Sequence, residues 1–223
     1  MAVVAGETIV LDPRGAMFVP EHDLLAVSDL HLEKGSSLAR RGMLVPPYDT
    51  AATLARLAAI IAQYRPRIVV SLGDSFHDGG GSARLPDAYR SDLSGLMAGR
   101  DWFWVAGNHD PEPPEGVAGH TVREIAVGSL VFRHEPSPKP VPGEVAGHLH
   151  PCARIVQRGR SVRRRCFASD GSRVILPAFG AYTGSLNVLD RAYRGLFEWE
   201  RFFAYMLGND RTFPIARSLL RPG

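Results

Sequence analysis

Cysteine is scarce: Cys152 and Cys166 are the only two in 223 residues. That number does not make a disulfide scaffold, and it fits a reducing compartment, so the sequence predicts a cytoplasmic protein. Long apolar runs are also missing. The best stretch, Leu54–Ala62, is interrupted by Arg56 and falls short of the ~18 residues of a membrane span. No basic segment followed by an apolar stretch opens the chain, so neither a signal peptide nor a membrane partner is expected. Lysine is almost absent: Lys34 and Lys139 stand against a Lys plus Arg total of 26. Arginine suits bidentate phosphate contacts, although the alanine-rich composition suffices to explain the count. The net charge of +3 is compatible with a polyanionic partner without specifying one.

The length leads us to expect one domain spanning residues 1–223. Hydrophobic content is 45% and charged content 22%, ordinary for a globular chain. Short strands are expected over Thr8–Leu11, Ala16–Val19 and Leu24–Ser28, separated by turns rich in Pro, Gly and Asp. Asp49 is placed to cap a helix over Thr50–Tyr64, in which Leu54, Leu57, Ala58 and Ile61 share one face. A buried strand follows at Arg67–Leu72, then a helix at Asp87–Met97 and a strand at Trp102–Ala106. Later strands are expected at Leu130–Arg133, Glu144–Ala146, Ala153–Gln157, Ser161–Ala168 and Arg173–Ala178. A short helix near Asp190–Phe197 and a hairpin around Gly208-Asn209-Asp210 complete the pattern. Alternating strands and helices followed by a strand-rich half predict an α/β sandwich.

Five polar motifs each follow an apolar, strand-like run: Asp29-Leu30-His31, Gly73-Asp74, Gly107-Asn108-His109-Asp110, His134, and Gly147-His148-Leu149-His150. Taken alone, Gly-Asn-His-Asp also reads as a polar turn. Residues just beyond the carboxyl ends of strands converge on one crevice, however. In Asp-x-His and His-x-His, two side chains point the same way along an extended chain. The donors are Asp29, His31, Asp74, Asn108, His134, His148 and His150, all oxygen or nitrogen. One metal would not need seven protein ligands and still leave room for substrate, whereas two metals sharing a carboxylate would. Mixed carboxylate and imidazole suits manganese, iron or zinc better than calcium. Two-metal sites favour in-line displacement at phosphorus by a metal-activated water.

As a set, these motifs resemble the signature of the calcineurin-like metallophosphoesterases. The resemblance implies a four-layer α/β/β/α sandwich with a binuclear centre. Asp29, His31 and His150 would hold one metal, Asn108, His134 and His148 the other, and Asp74 would bridge. His109 would stay off the metals and face the phosphate as an imidazolium or proton donor. A closer resemblance covers nearly the whole chain. Asp29-Leu-His-Leu-Glu-Lys-Gly35, Arg40-Arg-Gly-Met-Leu44, Pro46-Pro-Tyr-Asp-Thr50, Gly73-Asp-Ser-Phe-His-Asp78 and Pro177-Ala-Phe-Gly-Ala-Tyr-Thr-Gly184 resemble the ligase-associated DNA damage response endonucleases. That family is encoded beside a DNA ligase, a helicase and an exonuclease. The resemblance implies a phosphodiesterase with DNA endonuclease activity in repair, using two divalent ions, Mn²⁺ foremost. Ser185 departs from it, standing where glycine is expected.

Three features bear on substrate. His77 follows Asp74 in Asp-Ser-Phe-His, similar to a motif of double-strand-break repair nucleases, and is a candidate for orienting the scissile diester. A helix-start polar residue is the plainer alternative. Six arginines fall between Arg154 and Arg165 with no acid among them. Arg163, Arg164 and Arg165 are candidate phosphate contacts on DNA, against a solvated strand face. Phe179 and Tyr182 could stack bases, though strand aromatics more often pack. Two other functions remain open at this point: an enzyme of the same fold acting on small nucleotides or phosphomonoesters, and a non-catalytic scaffold.

Overall fold

The short apolar runs become strands, and the computed structural model describes residues 1–223. Chain order begins with β1 (Ala2–Val4), β2 (Glu7–Leu11), β3 (Met17–Val19) and β4 (Leu24–Val27), then α1 (Lys34–Arg40) and α2 (Asp49–Tyr64). It continues with β5 (Ile68–Ser71), α3 (Gly81–Arg84), α4 (Asp87–Met97), β6 (Asp101–Val105) and β7 (His120–Val122). These seven strands form one sheet in sequential order, antiparallel up to β4 and parallel from β4 to β7. The central parallel strands β4 and β5 are covered on both faces, and β5 reads Ile-Val-Val-Ser, whereas β7 at the sheet edge is largely exposed.

The second sheet holds β8 (Glu124–Val127), β9 (Leu130–Arg133), β10 (Glu144–Ala146), β11 (Pro151–Gln157), β12 (Arg160–Ser169), β13 (Val174–Ile175) and β14 (Leu186–Asn187). The hairpin β15 (Phe203–Leu207) and β16 (Thr212–Ala216) joins it through β12. β9, β10 and β13 run parallel, and β11 and β12 form a long antiparallel pair.

Three apolar layers separate four layers of backbone. α2 and α4 press Leu54, Leu57 and Leu93 onto the first sheet against Leu25, Val69 and Trp102. Ile9, Val70, Phe132 and Phe167 fill the space between the sheets. Tyr193, Leu196, Phe197 and Phe202 cover the outer face of the second sheet. Leu57 is fully buried, and Leu57→Ala would cost about 2–5 kcal/mol. No helix is long and apolar enough to cross a membrane.

The expected α/β sandwich is therefore present, with local differences, among them a strand of only Val174–Ile175 in place of the expected Arg173–Ala178. The helix expected near Asp190–Phe197 is a single 3₁₀ turn, Arg191–Tyr193, capped by the Asp190 side chain at the Ala192 amide. Tyr193, Leu196 and Phe197 of this segment are buried against the second sheet. Asp49 does not cap its own helix; its Oδ2 accepts the Gly35 amide at 2.9 Å and ties α1 to α2.

Candidate metal centre

Five strands supply the site, each from its carboxyl end. β4 leads to Asp29 and His31, β5 to Asp74, β6 to Asn108 and His109, β9 to His134, and β10 to His148 and His150. The two sheets thus deliver their loops to one crevice, as expected where parallel strands end together. Main-chain bonds knit the loops: Asp29 N donates to Gly73 O (3.2 Å), His31 N to Asp74 O (2.9 Å), and Gly147 N to His134 O (2.9 Å).

Three groups of possible ligand atoms result: Asp29 with His31 and His150, Asp74 with His134 and His148, and, at the rim, His31 with His77 and His109. His150 Nε2 stands 3.2 Å from Asp29 Oδ1, and His148 Nδ1 stands 3.2 Å from His134 Nε2. The Asn108 Oδ1 lies 3.0 Å from His134 Nε2, which adds it to the second group. Asp74 lies between the first two groups: Oδ1 is 3.5 Å from His134 Nε2 and Oδ2 is 3.9 Å from His31 Nε2. All seven candidate ligands therefore meet in one crevice.

The chemistry of this donor set fits cations. His134 Nδ1 donates to Leu72 O at 2.8 Å, so its Nε2 faces inward. There it meets the Asn108 and Asp74 oxygens and the His148 nitrogen. One proton on Nε2 can serve only one of these acceptors, whereas a cation satisfies all of them. Asp29 Oδ1 is buried without a hydrogen-bond donor, while its Oδ2 accepts from Ser28 Oγ and from the His148 amide. The chain at Asp-x-His and His-x-His is not extended as expected: Asp29, His31, Asp74, His148 and His150 all have φ between 44° and 67°. Left-handed conformations at non-glycine residues cost free energy and gather at functional sites. Gly107 and Gly73 make room for this packing. A Cβ at Gly107 would collide with the Asp74 amide, and one at Gly73 (φ +74°) with the His134 ring.

Burial and mutual charge set the protonation states. Burial lowers the His31 pKa to about 3, against the pull of Asp29 and Asp74. Burial would raise that of Asp74, but its bond to His134 and neighbouring charges win and hold it at about 2. Burial opposes charge on His134, and the same Asp74 bond overcomes it, taking its pKa up to about 9; a cation held by Nε2 would take the place of that proton. The neutral His31 offers a free lone pair, and the ionised Asp74 offers two oxygens.

His109 sits at the rim with its side chain 39% exposed. Its Nδ1 is bound to His77 O at 2.8 Å, and Nε2 lies 4.0 Å from Asp74 Oδ2. His77 stacks on it with centroids 5.2 Å apart, and His77 Nδ1 reaches His31 Nδ1 at 3.3 Å. Burial, then the nearby Lys34 and His109, lower the His77 pKa to about 4. His77 therefore belongs to the crevice by position. Asp110 stands behind it, with Oδ2 accepting the Phe76 amide at 3.0 Å.

The three candidate arginines part company. Arg165 donates to the carbonyls of Ala178, Gly180 and Thr183 at 2.9–3.1 Å, so it fastens the loop that passes the crevice. Arg163 reaches Ser185 O at 2.8 Å and is exposed, as is Arg164. Phe179 is fully buried and packs in the first core. Ser28 and Lys34 are site residues that the motif reading did not single out. Both sit beside a ligand or His77, and adjacency to Asp29-x-His31 is the one signal they give.

An Asp/His/Asn crevice at the strand ends of a two-sheet sandwich is a site of the metallophosphoesterase class. The chain belongs to the calcineurin-like phosphoesterases, whose family model matches residues 22–194. That fold works with divalent metals, and membership makes the protein a phosphoester hydrolase. Among solved structures it is similar to the nuclease MPE of Pseudomonas putida, with 28% identity and a TM-score of 0.72. That likeness covers 96% of this chain and 98% of the other. Yfce, a phosphoesterase from E. coli, aligns with 15% identity and a TM-score of 0.43, covering 86% of this chain and 98% of the other. No curated protein sequence matches.

Proposed function

We propose that this protein is a binuclear metal-dependent phosphodiesterase that cuts DNA internally, in DNA repair, in the cytoplasm and with Mn²⁺ as its preferred ion. The observation that carries the reading is the Asp74 carboxylate, whose two oxygens face two separate ligand groups. Two ions bound there would draw charge from the phosphate oxygens and lower the pKa of a water near the phosphorus. The likeness to a nuclease over nearly the whole of both chains supports a nucleic-acid substrate. DNA as partner also rests on the family resemblance, as do the ligase, helicase and exonuclease named with it. Free, buried Cys152 and Cys166 fit a reducing compartment.

His109 has the right placement for the leaving oxygen. Its Nδ1 is engaged by a carbonyl, so Nε2 is the atom presented to a phosphate. A proton held at Nε2 would stabilise charge as the P–O bond breaks and then pass to the departing oxygen. His77, stacked on His109 and touching His31, orients the diester between them.

The test compares wild type and His109→Ala with Mn²⁺ on plasmid DNA, an aryl phosphodiester and an aryl phosphomonoester. The wild type nicks and linearises plasmid and turns over the aryl diester. His109→Ala loses about 10²–10⁴-fold on DNA and less on the aryl diester, whose phenolate leaves without a proton. Turnover of the monoester alone would overturn the nuclease reading, and no turnover with any divalent ion would point to a scaffold.

A further inference from the structure

Beside His77 the chain builds a second polar cavity that the metal centre does not use. α1 and the turn into α3 border an open pocket of about 370 Å³ lined by Ser37, Arg40, Arg41, Asp78, Gly80 and Arg84, with no apolar side chain among the lining. Asp78 is its one acid, and it is committed: its oxygens take Arg84 Nη1 and Nη2 at 2.8 and 2.9 Å. Arg84 Nε also donates to Ser36 Oγ at 3.2 Å, which fixes the guanidinium at the cavity wall. Arg40 and Arg41 are exposed and pair with no carboxylate. A Cβ at Gly80 would meet Arg84 Nη1 at 2.9 Å and Arg40 Nη1 at 4.0 Å, so both guanidiniums border the same glycine turn. Three arginines facing one neutralised carboxylate leave a positive cavity whose charge an anion would offset.

We propose that this cavity is a second phosphate subsite, taking a phosphodiester of the same strand that flanks the one hydrolysed. The inference rests on the nucleic-acid reading above and deepens it. His77 joins the two sites: its ring lies 5.4 Å from that of His31, and Asp78 follows it directly. Arg40 and Arg41 close on the flanking phosphate, and Arg84 is held ready by Asp78. A small diester has no second phosphate to place there, so the cavity selects polymer over monomeric substrates. Arg165 cannot do this job, because its donors are spent on loop carbonyls.

The experiment uses the full chain and Arg40→Ala/Arg41→Ala, with matched thermal midpoints as the check on folding. Fluorescence anisotropy follows a labelled single-stranded oligonucleotide on EDTA-treated protein across a NaCl series. The double variant is expected to bind about tenfold more weakly at low salt. Its log K against log salt slope should be shallower by about 0.7, the value of one single-strand phosphate contact. With Mn²⁺, its kcat/KM for the oligonucleotide relative to bis(4-nitrophenyl) phosphate should fall by about tenfold. Arg40→Lys/Arg41→Lys should recover part of each effect, since charge returns without the bidentate fork. Unchanged affinity, slope and ratio overturn the subsite. Wild type that binds the oligonucleotide through Arg40 and Arg41 yet never cuts it overturns the nuclease reading alone. Cutting that ignores both arginines overturns the subsite alone, and wild type that neither binds nor cuts overturns both.

Discussion

Asp110 accepts the amide of Phe76 on Oδ2 at 3.0 Å, although its own carboxylate touches none of the ligand groups. The bond ties the loop after β6 to the loop after β5, two residues beyond Asp74. It holds Asn108 and Asp74 in one frame, and Asp74 Oδ1 in turn accepts the His109 amide at 2.9 Å. Burial raises the Asp110 pKa to about 6, a sign that the carboxylate is kept for its geometry. Asp110→Ala is expected to weaken Mn²⁺ binding by about 10–100-fold, as the loss of groups supporting metal ligands does. Asp110→Asn, whose amide oxygen still accepts the Phe76 N–H, should lose less. Calorimetric titration of EDTA-stripped protein checks both, and equal affinity in all three would refute the role.

Asp74 faces His134 with one oxygen and His31 with the other, and the proposed function makes it the bridge between two ions. Asp74→Asn keeps one oxygen and removes the charge, so only one group can keep a share of it. The expected result is a metal content that falls from two ions per chain to one or fewer by elemental analysis. Diesterase activity should fall by about 10³-fold or more, the scale on which displacement depends on both charges. Two ions retained at full occupancy would show that Asp74 does not bridge.

The ligand loops were legible because each announces itself locally, as an apolar β-rich run ending in Asp, Asn or His. β4, β5, β6, β9 and β10 all carry that signature, and the crevice follows from parallel strands ending together. Other local signals gave the rest: apolar residues on one helical face for α2 and α4, and the Gly208-Asn209-Asp210 turn for the β15–β16 hairpin. It failed for α1, whose Lys34-Gly35-Ser36-Ser37 opening has no apolar stripe. That helix starts from Glu33 at φ 62° and is held by Asp49 and Thr50 across 14 and 17 residues. Arg165 shows the other limit. Six arginines in twelve residues read as one charged face, but only the path of the 178–183 loop shows that Arg165 works inward. β7 and β8 are short, largely exposed strands formed by pairing with β6 and β9, and nothing in their own residues marks them.

Arg165→Ala should therefore behave as a stability variant. Three carbonyls of the loop lose their charged donor, and burial already lowers the Arg165 pKa, so little water replaces it. The cost is expected at about 2–3 kcal/mol, or roughly 5–10 °C in Tm for a chain of this size. Arg164→Ala, at an exposed guanidinium with no such partners, should stay within about 0.5 kcal/mol. Differential scanning calorimetry decides, and equal midpoints for the two variants would contradict the anchoring role.

Asp12 and Tyr64 should make stability depend on pH at opposite ends of the scale. Asp12, 2% exposed, accepts from Arg14 N, Nε and Nη2 at 2.7–2.8 Å and from Tyr64 Oη at 2.9 Å, which joins the β2–β3 turn to α2. Burial opposes its charge, yet these bonds outweigh it and the Asp12 pKa lies below its ordinary value. A lowered carboxylate contributes stability that is fully present above its unfolded pKa of about 3.9. That contribution is lost as pH falls through the folded value. Asp12→Asn should thus be less stable than wild type at pH 7, and the gap should close between about pH 4 and acid unfolding. For Tyr64, burial and then the Asp12 charge raise the pKa to about 12. The phenol's contribution is present below about pH 10 and is lost as pH rises toward 12. Tyr64→Phe should therefore shed part of the alkaline loss while paying a hydrogen bond at neutral pH. Urea midpoints for the three proteins at pH 3.5, 7 and 10.5 separate the two effects. A gap between Asp12→Asn and wild type that is the same at pH 3.5 and pH 7 would show that the Asp12 charge does not hold the turn.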